Sequence, residues 1–140
     1  MSKNKRKGSP PKSGGPQDPG ELEADNHDPR KEYPVLSFRF LQRGWGFDEL
    51  TNEQCRHFLC KWGERSKKTW RELSQHQRHA LGSELLPKNA IRARVPERFT
   101  EEKKFLIFRH QGNLPMGGVR VKNIYYVLWI EKKFGELYDH

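Results

Sequence analysis

Seven consecutive residues near the C-terminus, Ile124 to Ile130 (IYYVLWI), are large and apolar. Tyr125, Val127 and Trp129 alternate with Tyr126, Leu128 and Ile130, so both sides of an extended strand demand burial. A strand from Ile124 to Glu131 therefore belongs at the centre of a sheet, with other elements packed around it. Everything else in the chain has to be arranged to cover it.

Turn residues place its neighbours. Lys104 to His110, Met116 to Lys122 and a short piece at Glu136 to Tyr138 read as further strands, separated by Gly112-Asn113, Lys122-Asn123 and Gly135. Gly117 and Gly118, inside one of them, mark either a bulge or the close approach of a backbone or ligand. Upstream, Val35 to Leu41 alternates as a first strand, with Leu36, Phe38 and Phe40 on one face.

Two capping boxes then open helices, because each side chain of such a pair satisfies an orphan backbone donor of the first turn. Thr51 with Gln54 starts a helix over about Asn52 to Glu64, in which Cys55, Phe58, Leu59 and Trp62 share a stripe. Thr69 with Glu72 starts a shorter one that ends before Gly82. The order of elements implies an α+β fold, two helices packed on one face of a mostly antiparallel four- to five-stranded sheet.

The first 32 residues differ in kind. Residues 1 to 31 carry five prolines and no aromatic residue, with a basic block (KNKRK) followed by an acidic one. Such a segment buries too little surface to offset the entropy of ordering, so a disordered tail is expected over 1–32 and one domain over 33–140. The basic block reads either as a nucleic-acid arm or as a solubilising extension.

The whole chain has a formal charge of +9, with Lys and Arg totalling 27 against 18 acids. That balance favours polyanionic partners. From Lys61 to Arg98 ten cations face four acids, with Lys67, Lys68, Arg71, Arg94 and Arg98, and Lys122 beyond them, as candidate nucleic-acid-binding residues. They make a phosphate-binding surface if they converge and a solvated face if they scatter. No apolar run is long enough to span a bilayer and no secretory signal is evident, so a cytoplasmic location is expected.

Cys55 and Cys60 are five apart on a helix and point in different directions, which argues against a disulfide. No cysteine or histidine spacing suits zinc, and no glycine-rich phosphate loop or nucleophile elbow is present. No metal and no cofactor is expected. What remains is a set of polar residues on apolar strands: Arg109 and His110, Arg120 and Lys122, then Tyr138, Asp139 and His140.

The stretch Phe105 to His140, FLIFRHQGNLPMGGVRVKNIYYVLWIEKKFGELYDH, is about a quarter of the chain. Its arginine strand, glycine-arginine strand, hydrophobic strand and closing LYDH resemble the RelE/ParE-like toxin superfamily. The loop from Gly82 to Arg98 is longer than compact toxins of that group have. The resemblance implies a toxin-like endoribonuclease that cleaves RNA by attack of a 2′-hydroxyl on the adjacent phosphorus, without metal. It implies that Arg109 and Arg120 hold the phosphate and that Tyr138 or His140 transfers protons, with His110 in reserve. Implied partners are RNA or the ribosome and an antitoxin-like protein. The same residues also suit a non-catalytic nucleic-acid or ribosome-binding module, with the arginines serving as charged sheet edges.

Overall fold

The computed structural model describes residues 28–78 and 80–140. The expectations for residues 1–27, the basic block among them, lie outside the described residues. Residues 28–32, assigned to the tail from sequence, are instead a structured turn. The Asp28 carboxylate accepts from the Arg30 backbone N–H and guanidinium and caps a 3-10 helix over Pro29–Lys31. The carbonyl of Glu32 then accepts from the Trp70 N–H at 3.0 Å.

Five strands form one sheet: β1 (Val35–Ser37), β2 (Ser83–Pro87), β3 (Lys104–Gln111), β4 (Leu114–Val121) and β5 (Ile124–Ile130), in the order β1-β5-β4-β3-β2. The apolar strand β5 lies between two neighbours, as its composition requires. It runs parallel to β1 and antiparallel to β4. Two-residue turns close β3–β4 at Gly112-Asn113 and β4–β5 at Lys122-Asn123. Lys122 takes a positive φ of 57°, which such tight hairpins impose.

The helices α1 (Asn52–Arg65) and α2 (Trp70–Leu73) cover one face. Both capping boxes form, Thr51 with Gln54 and Thr69 with Glu72. Phe58, Trp70 and Leu73 pack there on Phe108, Met116, Tyr125, Val127 and Ile130. Leu59, placed on the core stripe by its spacing, is 65% exposed. The helix meets the sheet along a narrower strip than the stripe supposed. Cys55 and Cys60 are both free thiols.

The other face is covered by chain of little regular structure. Ile91, Ala93, Val95 and Phe99 from the long loop, with Leu137 and Tyr138, pack on Phe105, Ile107, Val119, Leu128 and Trp129.

Three features depart from the sequence reading, and a fourth decides between two readings it left open. The long loop opens with a strand, β2, whose Pro87 is tolerated because β2 is an edge. The first strand ends at Ser37, so Leu36 and Phe40 enter opposite cores. Glu136 to Tyr138 is not a strand; its Leu137 N–H goes to the Glu131 carboxylate at 2.7 Å and its carbonyl to the Arg92 N–H. Finally, Gly117 and Gly118 mark a bulge. Gly117 pairs with Trp129 and Gly118 with Val127, which leaves Leu128 as an extra residue and turns Trp129 onto the face opposite Val127. A Cβ on Gly118 would stand 2.0 Å from the Tyr126 carbonyl oxygen, so only glycine fits.

Candidate active site

Strand alternation carries Phe108 into the helix-side core and Arg109 to the opposite face, where Glu84 of β2 also points. The chain from Phe134 to His140 folds over this corner. Together they enclose a cavity of about 260 Å³ that Arg78 and Asn113 complete. Three of the four residues singled out for catalysis, Arg109, Tyr138 and His140, line it.

Arg109 is 4% exposed. Its Nη2 donates to Glu84 Oε2 at 2.7 Å, while Glu84 Oε1 accepts from Arg78 Nη1 at 2.9 Å. One carboxylate thus fixes two guanidinium groups. Among the described residues Nε and Nη1 of Arg109 are buried without a hydrogen-bond partner, as is the hydroxyl of Tyr138. Buried donors left unsatisfied cost roughly 1–3 kcal/mol each; these three are closed off from solvent, so an acceptor entering the cavity that their residues line reaches them only if the side chains shift. Burial pushes the Tyr138 hydroxyl up to about 12, which keeps it a proton donor at neutral pH.

His140 is held between two rings, with centroids 3.8 Å from Phe134 and 4.4 Å from Tyr138. Its Nε2 is 3.5 Å from Oε1 of Glu131. Glu131 is fully buried at the end of β5, and its other oxygen accepts the Leu137 N–H. Burial raises the Glu131 carboxyl above the usual range, opposed by the Leu137 N–H and the nearby imidazole. At 3.5 Å the contact is an ion-pair distance and not a hydrogen bond, and Oε1 has no hydrogen-bond partner among the described residues, so the two rings hold the imidazole and the carboxylate attracts its protonated form.

Arg120 does not join this group. It pairs with Tyr125 in register and so points to the helix face, where its guanidinium lies 4.3 Å over the Trp70 ring. Its Nε donates to the Lys122 carbonyl at 2.7 Å. It borders a separate depression of about 330 Å³ with Trp70 and Leu73. His110 is also elsewhere: buried beside Phe58, it donates from Nε2 to the Glu131 carbonyl at 2.7 Å. Burial lowers its pKa to about 4, so it is neutral.

The nucleic-acid-binding candidates divide between the two faces. Lys67 and Lys68 lie between α1 and α2, Arg71 lies on α2 with Asp28 at 3.8 Å, and Lys122 lies in the β4–β5 turn beside Arg120. Arg94 and Arg98 belong to the loop on the opposite face, the face of the cavity. Sequence reading missed Arg78, Glu84 and Glu131. The first two sit around an unforeseen strand, and Glu131 stood in the sequence only as the polar end of β5.

Among the described residues no helix is long and apolar enough to cross a membrane, and no three His, Cys, Asp or Glu side chains are grouped to hold a metal ion. Comparison of the chain with protein-family models, curated proteins and solved structures gives no match.

Proposed function

We propose that the chain is an endoribonuclease that works in the Arg109–Tyr138–His140 cavity. The observation that supports this is the buried Arg109 guanidinium, with two nitrogens that have no partner among the described residues, beside the similarly unpartnered Tyr138 hydroxyl and the His140–Glu131 pair. A phosphodiester that enters the cavity and shifts these side chains supplies the missing acceptors. Arg109 then stabilises the charge that develops on the phosphorane, with Arg78 as the second cation in place of Arg120.

In this reading His140 presents Nδ1 to the cavity, its Nε2–H being directed at Glu131. Nδ1 takes the proton of the 2′-hydroxyl as the O2′–P bond forms. The bond from phosphorus to the 5′-oxygen breaks, and Tyr138 gives its proton to that oxygen. The products are a 2′,3′-cyclic phosphate and a 5′-hydroxyl. Such a target, RNA alone or on the ribosome, implies action in the cytoplasm, and an antitoxin-like protein is a fitting regulator.

Glu84 favours a second reading. By spanning both arginines it offsets part of their charge, which suits a module that binds nucleic acid without cutting it. Incubation of purified protein with RNA, free and on ribosomes, separates the two. Cleavage lost in Arg109→Gln supports the enzyme; RNA that stays intact while bound supports the module.

A further inference from the structure

A second feature of the cavity's face is the ring of Phe40. The guanidinium of Arg39 lies 5.0 Å from its centroid and that of Arg98 lies 4.9 Å from it. The two cations are therefore no more than about 10 Å apart, within one Debye length at ordinary salt, and repel each other. Both are exposed. Among the described residues neither forms an ion pair, and Glu97, Glu101 and Glu102, the acids of the same stretch, pair with neither.

The ring itself is fixed. Phe99 meets it edge-on at 5.2 Å and Tyr126 lies at 5.4 Å. A guanidinium laid on an aromatic face keeps its N–H edge free for an outside acceptor. Two such groups on one anchored ring form a preset double cation.

The loop that carries Arg98 begins at the cavity. Arg92 donates its backbone N–H to the Leu137 carbonyl at 2.7 Å and its Nη1 to the Gly135 carbonyl at 2.8 Å, and it pairs with Asp139, which lines the cavity. Two residues on, the Arg94 carbonyl accepts from the Trp129 indole, with the Arg94 side chain exposed. From Arg92 to Arg98 the loop extends at most about 20 Å. Arg94 and Arg98 thus follow Arg92 along the chain and are both exposed, with Arg98 ending on Phe40.

We propose that Arg94, Arg98 and Arg39 form a backbone-binding track for single-stranded RNA that leads into the cavity. This rests on the reading of the chain as RNA-directed. The track grips phosphates, so it binds without regard to sequence, and its contribution is sensitive to salt.

The test measures binding apart from cleavage, using a labelled 2′-O-methyl oligoribonucleotide that has no 2′-hydroxyl to react. Affinity is followed against salt for the intact chain, for Arg39→Gln/Arg98→Gln, and for Arg39→Lys/Arg98→Lys, with thermal melting as the check on folding. Removing two single-strand phosphate contacts should reduce the slope of log K against log salt by about 1.4. The expected result is that reduction with roughly tenfold weaker binding in the Gln pair, and a slope retained in the Lys pair. An unchanged slope in a folded Gln pair overturns the track. So does an intact chain that does not bind the oligonucleotide, or one from which polyglutamate displaces it as well as RNA does, which would point to an acidic protein instead. Binding along the track without cleavage of ordinary RNA contradicts the enzyme reading alone.

Discussion

Arg109 and Arg120 lie on adjacent strands and point to opposite faces of the sheet. Arg109 reaches Glu84 at 2.7 Å, and Arg120 lies 4.3 Å over Trp70 on the helix side. The pair that resemblance would set on one phosphate is separated by the sheet itself. Substitution should therefore affect the two differently. Arg109→Gln should lower the RNA cleavage rate about 100- to 1000-fold, the loss typical of removing one donor to a developing oxyanion. Arg120→Ala should leave the rate within about threefold, measured as single-turnover cleavage at equal folded concentration.

Tyr138 gives a prediction on pH. Burial pushes its hydroxyl up to about 12, and a general acid must be protonated to act. The rate should show no descending limb up to about pH 10, where an unperturbed tyrosine would be half ionised. Tyr138→Phe should reduce kcat with little change in KM. A descending limb centred near neutral pH would remove Tyr138 from this role.

A different pH dependence belongs to stability. His110, between Arg65 and the Glu131 carbonyl, has a pKa lowered from 6.5 to about 4 by burial. The unfolded chain takes up the proton first on acidification, so this contribution is complete above 6.5 and is lost as pH falls toward 4. It amounts to on the order of 3 kcal/mol. Urea denaturation between pH 7 and 4 should show the decline, and His110→Gln should flatten it.

Arg65 is fully buried, and among the described residues no carboxylate forms an ion pair with it. Its Nε donates to the Leu81 carbonyl at 2.9 Å and its Nη2 to the Arg109 carbonyl at 2.7 Å, with Phe108 beneath it at 4.7 Å. It ties the end of α1 to the approach to β2 and to the strand that carries Arg109. Arg65→Ala leaves those carbonyls unpaired and should cost about 3 kcal/mol in chemical denaturation.

Legibility in the sequence followed the range of the interactions. The capping boxes at Thr51 and Thr69 and the turns at Gly112-Asn113 and Lys122-Asn123 are encoded within four residues, and each forms where its residues stand. The apolar run of β5 announced its central place. Strand β2 was hidden because its five residues, SELLP, become a strand only by pairing with β3, more than fifteen residues away. The bulge was signalled by Gly117 and Gly118, but the alternation of β5 did not show that Leu128 would be the extra residue opposite them. Arg109, Tyr138 and His140 could be named from sequence, but the company they keep could not. Glu84 and Glu131 reach the cavity only through pairing and chain return.

The most direct test of the central claim is the chemistry of the RNA ends. Purified protein is incubated with a defined RNA, free and ribosome-bound, beside Arg109→Gln, and the fragments are read by mass spectrometry. The fragments should carry 2′,3′-cyclic phosphate and 5′-hydroxyl ends, and these should disappear in the variant. Intact RNA, fragments with 5′-phosphate ends, or equal cleavage by the variant would contradict it.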